Sequence, residues 1–307
     1  MNIDKSLEAE CDSLRKLLKT KGDALIEFVL TKNKSTRQTI RQAYKACWGV
    51  DLETDIDKNL SGHFKQAMLA LFQRAAEYDA ECLYKAMKGM GTDEDTLIEI
   101  ICTRGNEQLK IVKEEFEKKY PKYTLEKWVT SETSGSFRKL LVSLLQCSRS
   151  ENPDVDESEC EKMTKELYEA GEKKLGTDEP IFNKIFATAS PAQLYFISQK
   201  YNELYKKPLK VAIEKEYSRD VKKALITILD AVVSPTEYFA RKVNRAVKGL
   251  GTNDTMLIRV LVSREGIDIA EMRNSYKDIF KKDMVEDIKG DTSGDYQKLM
   301  VGIASGY

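Results

Sequence analysis

The sequence predicts an all-α protein, and three observations lead to this fold class. Apolar residues recur at helical spacing, as in the stripe formed by Leu97, Ile98, Ile101 and Cys102, whereas strand-like alternation is hard to find. The composition, with 33% charged residues and only 6 Pro in 307 residues, is typical of helix-rich proteins. Finally, two segments, MKGMGTDEDTLIEII and VKGLGTNDTMLIRVL, align without a gap, so the chain contains internal repeats.

Two sequence elements recur along the chain and define these repeats. A divergent third copy of the first element, EKKLGTDEPIFNKIF, begins at Glu172, and the threonines of the three copies are Thr92, Thr177 and Thr252. The second element follows each copy, as SETSGSFRKLLVSLL, KEYSRDVKKALITIL and GDTSGDYQKLMVGIA, and a fainter version, KNLSGHFKQAMLALF, begins at Lys58. The chain therefore reads as four repeats, of which the first has a degenerate loop without the Gly-x-Gly-Thr pattern.

The spacing of these elements divides the chain into repeats of about five helices each. The predicted repeats cover residues 1–74 (repeat I), 75–148 (repeat II), 149–233 (repeat III) and 234–307 (repeat IV). Repeat III begins with a polar, acidic linker, SRSENPDVDESE. In repeat II we predict a helix over Asp79–Lys88 and a second helix capped by Thr92, with Asp95 as its capping-box partner. Further helices of this repeat should begin near Asn106, Thr124 and Ser134.

Charge and cysteine content argue against several classes of function. Lys plus Arg and Asp plus Glu are equal at 50 each, so no net charge attracts nucleic acid or an anionic bilayer from a distance. Six Cys without a C-x-x-C pair, together with a single histidine, His63, argue against a zinc site and a disulfide framework. We expect reduced cysteines on apolar helix faces, as in cytoplasmic proteins. No signal-peptide pattern or bilayer-length apolar run is present, so membrane contact should be peripheral.

Catalytic and EF-hand motifs are also missing. The sequence has no nucleophile elbow, phosphate-binding glycine loop or metalloprotease helix, so we expect no enzyme activity. The segment Asp51–Asn59 resembles the start of an EF-hand, but Leu60 stands where that loop requires glycine. We expect His63 to be a surface or capping residue and not a catalyst, and Trp48 and Trp128 to be core or half-buried anchors.

The glycine loops carry a resemblance to a known family. K-G-x-G-T at Lys88–Thr92 and at Lys248–Thr252, A-G-E-K-K-L-G-T-D-E at Ala170–Glu179, and the E-T-S-G and D-T-S-G motifs that begin at Glu132 and Asp291 resemble the annexin pattern. The resemblance covers nearly the whole chain. It implies a slightly curved disc of four five-helix repeats, calcium sites on the convex face, and reversible binding to acidic phospholipids. The divergent first repeat would suit a protist branch such as the alpha-giardins.

The residue types in these loops suit calcium. Calcium takes six to eight oxygen ligands, many of them backbone carbonyls, and glycine reaches the unusual backbone angles that such a loop needs. Carbonyls bring no net charge, so a carboxylate must complete each site. In each copy an acidic residue follows the last loop glycine after 40 or 41 residues, in the pairs Gly91 with Glu132, Gly176 with Glu216, and Gly251 with Asp291. This equal spacing predicts a repeated contact between two loops.

The resemblance implies a ligand set for each loop. The implied ligands are the carbonyls of Met87, Gly89 and Gly91 with Glu132 in repeat II; those of Gly171, Lys174 and Gly176 with Glu216 in repeat III; and those of Val247, Gly249 and Gly251 with Asp291 in repeat IV. Repeat III departs from the pattern because Arg219 stands where the family has glycine. Repeat I should bind calcium poorly, because its loop is shortened around Lys21 and Gly22, and Asn59 replaces the acidic residue.

Each loop also carries an apolar residue beside a glycine. These residues are Met90, Leu175 and Leu250, and we expect either that they enter the headgroup region of a membrane or that they pack back onto their own helices. Few carboxylates per site imply weak intrinsic calcium affinity, and the open coordination positions would be left for water or a lipid phosphate. Calcium would thus supply the positive charge that the balanced chain lacks.

Other interpretations stay open at this point. A single K-G-x-G-T is commonly a glycine-ended helix followed by a capped one, so the case for calcium depends on the three copies together. The main alternative is a calcium-independent scaffold of the same fold that associates with the cytoskeleton, for example with microtubules or actin. A plain α-solenoid adaptor fits less well, because its usual repeats are shorter. On either main hypothesis we expect a cytoplasmic protein, at the inner face of membranes or on the cytoskeleton.

Overall fold

The computed structural model describes residues 4–173, 176, 178–249 and 251–306. Over these residues the chain forms twenty α-helices and no strand, which confirms the all-α prediction. Two compact units are present: unit 1 combines the two ends of the chain, up to Ala75 and from Thr236, and unit 2 comprises Ala76–Pro235. No helix in the described part of the chain has both the length and the apolar character needed to cross a bilayer.

The helices of unit 1 come from both ends of the chain. They are α1 (Lys5–Thr20), α2 (Asp23–Leu30), α3 (Lys34–Trp48), α4 (Leu52–Asn59), α5 (Gly62–Phe72), α16 (Pro235–Val247), α17 (Asp254–Arg264), α18 (Ile269–Phe280), α19 (Met284–Asp291) and α20 (Gly294–Ser305). Unit 2 is continuous in sequence. Its helices are α6 (Ala75–Met87), α7 (Glu94–Thr103), α8 (Asn106–Lys119), α9 (Leu125–Glu132), α10 (Gly135–Leu145), α11 (Glu157–Ala170), α12 (Glu179–Thr188), α13 (Pro191–Tyr205), α14 (Leu209–Glu216) and α15 (Arg219–Val233).

The predicted helix starts near Asn106, Thr124 and Ser134 agree with the structure, whereas α6 begins at Ala75, four residues before the predicted Asp79, and ends at Met87. The helix α8 begins at Asn106, and Thr124 and Ser134 are the residues immediately before α9 and α10. The prediction that Thr92 caps α7 is wrong. The N-cap is Asp93, whose carboxylate accepts a hydrogen bond of 3.0 Å from the backbone N–H of Thr96, because an Asp one residue later satisfies that orphan donor.

The predicted capping-box partner of Thr92 also has another role. The side chain of Asp95 pairs with Lys223 at 3.2 Å, which joins α7 to α15 within unit 2. Asp95 therefore has a partner on another helix.

The centre of each unit is a helix that is apolar on almost every side. In unit 2, α7 buries every residue from Thr96 to Cys102 and packs against α10 and α15. In unit 1, α17 buries every residue from Met256 to Val262 and packs against α5 and α20. Each fully buried Leu or Ile side chain contributes about 1.5–3 kcal/mol to folding. Packing against these central helices therefore holds the surrounding helices, and with them the loops that join them, in position.

Unit 1 also contains a buried ion pair. The side chain of Arg37 on α3 is fully buried, and its guanidinium donates to the Val29 carbonyl at 3.3 Å and to the carboxylate of Glu265, just after α17. This pair links the first repeat to the last through the interior of the unit.

The cysteine and tryptophan predictions agree with the structure. None of the six cysteines forms a disulfide in the structure, and five of them are buried, while Cys47 is half-buried. Trp128 is half-buried against the core of unit 2 and stacks on Tyr123 with 4.3 Å between ring centroids. Trp48 lies under the Arg15 guanidinium, 4.4 Å from its ring centroid.

Arg219 occupies a backbone position that the other repeats give to glycine. Its φ is 52°, and the corresponding residues at the start of α5, α10 and α20, which are Gly62, Gly135 and Gly294, have φ between 58° and 63°. A residue with a side chain in this left-handed region is strained by about 1–2 kcal/mol. Glycine avoids this strain, but it loses more conformational entropy on folding, so only part of the strain energy would be gained.

We therefore expect Arg219→Gly to raise the stability of the protein by about 0.5–1 kcal/mol. Thermal or urea unfolding would measure the change. Lys222→Ala, one helical turn later on α15, is the control and should leave stability nearly unchanged. A lower midpoint for Arg219→Gly would show that the arginine side chain makes contacts worth more than the strain.

Candidate metal centre

The loop of repeat II joins α6 to α7 through six residues. The helix α6 ends at the buried Met87, and the chain then turns through Gly89 and Gly91, whose φ values of 119° and 89° are strained for residues with a side chain. The backbone N–H of Asp93 donates to the Ala86 carbonyl at 2.8 Å, which closes the loop on the end of α6. The predicted carbonyl donors Met87, Gly89 and Gly91 all belong to this closed turn.

A carboxylate from a distant helix reaches the same loop. Glu132 is the last residue of α9, and its Oε2 accepts a hydrogen bond of 3.0 Å from the hydroxyl of Thr92. The spacing of about 40 residues in the sequence therefore corresponds to a direct contact between the two loops. Thr92 holds the carboxylate at the loop instead of capping α7.

Repeat IV has the same arrangement in unit 1. The helix α16 ends at Val247, Gly249 and Gly251 have φ values of 142° and 87°, and the N–H of Asn253 donates to the Ala246 carbonyl at 2.8 Å.

The acidic partner in repeat IV is Asp291, at the end of α19. The Thr252 hydroxyl lies 2.6 Å from Asp291 Oδ2 and 2.7 Å from the Asp291 carbonyl oxygen. The predicted pairing of a glycine loop with an acidic residue is thus present in both repeats, because in each the loop threonine donates a hydrogen bond to the carboxylate.

In repeat III the structure brings together part of the predicted ligand set. The helix α11 ends at Ala170, whose carbonyl accepts from the N–H of Asp178 at 2.7 Å, so this loop is one residue longer. Gly171 is packed so closely against Glu216 that an added Cβ would lie 3.3 Å from the Glu216 Cγ. Gly176 has a φ of 87°. Lys174, one of the predicted carbonyl donors, lies outside the described residues.

Several acidic side chains lie near the loop of repeat III. Burial raises the pKa of the Tyr217 hydroxyl above its ordinary value, and the carboxylates of Glu179, Glu216 and Asp178 raise that pKa further. Three acidic side chains near one buried phenol give this loop a local field that favours a cation.

Repeat I lacks both parts of the arrangement. Only Lys21 and Gly22 separate α1 from α2, a connection too short to direct three carbonyls to one point. The amide of Asn59 donates to the Asp55 carbonyl of its own helix at 2.7 Å, so it does not extend toward the loop.

Acidic residues that the sequence analysis missed lie beside the loop of repeat IV. A cleft of ≈ 520 Å³ is lined by Val247, Gly249 and Asp291, and also by Glu286 and Asp287. Both precede Asp291 by about one turn of α19, so helical periodicity was the signal that could have found them. Asp287 is already engaged, since it accepts from the Tyr276 hydroxyl at 2.7 Å.

The donor atoms fit a hard cation with a preference for oxygen. Across the described residues, no group of three or more His, Cys, Asp or Glu side chains is placed to hold a metal ion. A metal held in these loops would therefore depend on backbone carbonyls. Positive-φ glycines and a single carboxylate per loop are the donor set that calcium accepts and that zinc, with its nitrogen and sulfur ligands, does not prefer. The loops of repeats II and IV therefore fit calcium.

The structure describes one of the three apolar loop residues predicted to contact a membrane. Met90, between the two loop glycines of repeat II, is fully exposed to solvent. It does not pack back onto its helix. Leu175 and Leu250, the other two predicted membrane contacts, lie outside the described residues.

Comparison with known proteins identifies the family. The Annexin family model matches the chain four times, over residues 9–71, 78–144, 164–228 and 238–303. Human annexin A13 is 39% identical over 300 residues, which cover 97% of this chain and 95% of that protein. Mouse annexin A13 is 42% identical over 280 residues, which cover 91% and 88%.

Solved structures show the same fold. The structure of annexin III has a TM-score of 0.94 at 35% identity and covers 99% of this chain and 95% of its own. A calcium-bound alpha-14 giardin has a TM-score of 0.81 over 96% of this chain and 98% of its own, but at 20% identity it shows a shared fold alone. A placement beside the giardins stays a prediction. The four matched repeats, the relatives at 39–42% identity and the paired loops lead to one conclusion: the chain belongs to the annexin family.

Proposed function

We propose that this protein binds anionic phospholipid surfaces in a calcium-dependent manner through the glycine loops of repeats II, III and IV. The observation that carries the proposal is the threonine that holds a carboxylate against the loops of repeats II and IV, Thr92 with Glu132 and Thr252 with Asp291. Annexins generally bind phospholipid in this calcium-dependent way and are generally not enzymes.

Each proposed site is formed by backbone carbonyls of a glycine loop and one carboxylate. In repeat II the carbonyls of Met87, Gly89 and Gly91 and the carboxylate of Glu132 would hold the ion. Calcium, when bound, supplies positive charge that attracts phosphate oxygens of the lipid. In repeat IV the corresponding residues are Val247, Gly249, Gly251 and Asp291.

Repeat III is proposed as a further site with Gly171, Lys174, Gly176 and Glu216 as ligands. The contact of Gly171 with Glu216 and the acidic surroundings of Tyr217 support it. Its longer loop differs from the loops of repeats II and IV, so we expect it to bind calcium with a different affinity.

Met90 is proposed to enter the headgroup region when the loop meets a membrane, as are Leu175 and Leu250 in the other repeats. We expect Met90→Ser to weaken vesicle binding about three- to tenfold at saturating calcium, because a partly buried side chain contributes roughly 1 kcal/mol. Ile267→Ser is the matched control, since Ile267 is 63% exposed but lies in none of the glycine loops. Equal losses in both variants would mean that general surface apolarity, and not the loop tip, drives the contact.

The experiment that tests the proposal is vesicle cosedimentation. Wild-type protein is mixed with phosphatidylserine vesicles over a calcium titration, with chelator and with phosphatidylcholine vesicles as controls. We expect pelleting only with calcium and anionic lipid. Equal pelleting in chelator would overturn the calcium requirement.

Failure to pellet at any calcium concentration would instead favour the scaffold alternative. Cosedimentation with microtubules or actin in chelator is the measurement that tests it. Under the membrane proposal the protein would act at the cytoplasmic face of membranes, as a peripheral partner of anionic lipid.

A further inference from the structure

Four aromatic side chains of repeat II stack in one group at the surface of unit 2. The ring of Tyr84 on α6 stacks on that of Tyr120 with 3.7 Å between centroids, and it lies 5.3 Å from the ring of Trp128 in an edge-on arrangement. Trp128, on α9, stacks in turn on Tyr123 at 4.3 Å. Tyr123 is 43% exposed, and the other three are half-buried. These four residues are called the aromatic patch below.

The aromatic patch adjoins the glycine loop of repeat II through two helices. Lys88, the first residue after α6, holds its ammonium 5.3 Å from the centre of the Tyr84 ring. Trp128 precedes Glu132 by four residues on α9, which is about 6 Å along the helix axis. The headgroup layer on each face of a bilayer is about 5–8 Å thick. A bilayer that docks on the loop would therefore bring its headgroups to the depth of the patch.

Lysines without a carboxylate partner surround the aromatic patch. Lys122 lies in the connection before α9 and Lys127 lies in its first turn, and both are exposed. No ion pair in the described part of the chain includes either of them. Lys119 differs, because it pairs with Glu81 at 2.8 Å. Together with Lys88, the two exposed lysines place three uncompensated positive charges beside the rings.

The other repeats do not build this patch. Trp128 is the fourth residue of α9, and the fourth residues of α4, α14 and α19 are Asp55, the buried Ala212 and Asp287. The connection before α9 has five residues, whereas the connections before those three helices have three each. The longer segment that holds Tyr123 is therefore particular to repeat II.

We propose that the aromatic patch and its lysines form a second membrane contact of repeat II, which binds anionic phospholipid headgroups directly and not through a metal ion. Tyrosine and tryptophan favour the boundary between water and hydrocarbon, because their rings are apolar while their polar atoms stay hydrated. Lysines at this depth attract anionic headgroups, and their aliphatic stems cover apolar surface. This inference rests on the proposed function, because calcium at the glycine loop brings the membrane to the patch.

Loss of the patch should weaken membrane binding while the calcium ligands stay intact. At saturating calcium, we expect Lys122→Gln combined with Lys127→Gln to lower the affinity for phosphatidylserine vesicles about tenfold or more, and Tyr123→Ser to lower it about three- to tenfold. The matched controls are Lys110→Gln and Ile111→Ser, toward the other end of α8. Ile111 is 39% exposed, close to the exposure of Tyr123, and both controls should bind as wild type does.

The fluorescence of Trp128 reports the contact directly. The chain has two tryptophans, and the other one, Trp48, lies in repeat I. In a Trp48→Phe background, calcium is added with vesicles of phosphatidylserine and phosphatidylcholine, the latter brominated on the upper acyl chain. We expect the emission of Trp128 to shift to shorter wavelength and to lose intensity relative to vesicles without bromine. The reciprocal variant Trp128→Phe should show no quenching by bromine.

The outcomes separate this inference from the proposed function. If wild type pellets with calcium while Trp128 stays unquenched and the Lys122 and Lys127 variant binds with wild-type affinity, the patch is not a membrane contact and the calcium-dependent function stands. If wild type does not pellet at all, both are overturned. Stacked aromatic rings beside lysines also suit single-stranded nucleic acid. Quenching of Trp128 by a single-stranded oligonucleotide, and not by brominated vesicles, would therefore overturn the proposal.

Discussion

Replacing Glu265 with alanine is expected to lower the free energy of unfolding by about 3–5 kcal/mol. The variant leaves Arg37 with its positive charge fully buried and without its carboxylate partner. Removing one member of a buried pair is costly because the remaining charge cannot be solvated. Urea unfolding, followed by circular dichroism, would measure the loss.

Two companion variants separate this effect from a general loss of charge. Asp57→Ala removes an exposed pair with Lys65 in the same unit and should cost at most about 1 kcal/mol. The double variant Arg37→Met, Glu265→Leu should recover much of the lost stability, because neither charge stays buried. A loss of less than about 1 kcal/mol in Glu265→Ala would show that the Arg37 charge has another compensation.

The second large effect concerns the loop carboxylates. Removing both Glu132 and Asp291 by alanine substitution is expected to raise the calcium concentration for half-maximal vesicle binding about tenfold or more, because affinity follows the ligand charge of each site. Each loop would keep its carbonyls and lose its only negative ligand. Cosedimentation with phosphatidylserine vesicles over a calcium titration would give the shift, and each single variant should lie between wild type and the double variant.

The matched control is Glu126→Ala. It removes a carboxylate from the same helix, α9, but from the end away from the loop. Its calcium requirement should equal that of wild type. If the double variant also keeps the wild-type calcium requirement while unfolding normally, the loops are not the membrane sites.

Much of the fold was open to prediction because its determinants are local and repeated. The helical spacing of apolar residues around Leu97 and the glycine-ended helices appear directly in the sequence, and the structure confirms an all-helical chain. The predicted N-cap of α7 was wrong, because Thr92 and Asp93 are both residue types that commonly cap helices. Only the contact of Thr92 with Glu132 decides between them, and that contact is made across 40 residues.

The site was partly predictable for the same reason. Equal spacing in several copies indicated that Glu132 and Asp291 meet the glycine loops, although a single copy would not have done so. The buried pair of Arg37 with Glu265 gave no signal, because its members are far apart in the sequence and belong to different repeats.

The backbone hydrogen bond that closes each loop, from Asp93 to Ala86 and from Asn253 to Ala246, joins main-chain atoms only. It does not depend on the side chain of Met90, although the glycines between its ends must keep their positive φ values. Under the proposed function, a substitution at the exposed tip, such as at Met90, would change the contact with the membrane surface while the loop backbone keeps its shape. On that proposal, the surface that the loop contacts and the ion that the loop holds could evolve independently.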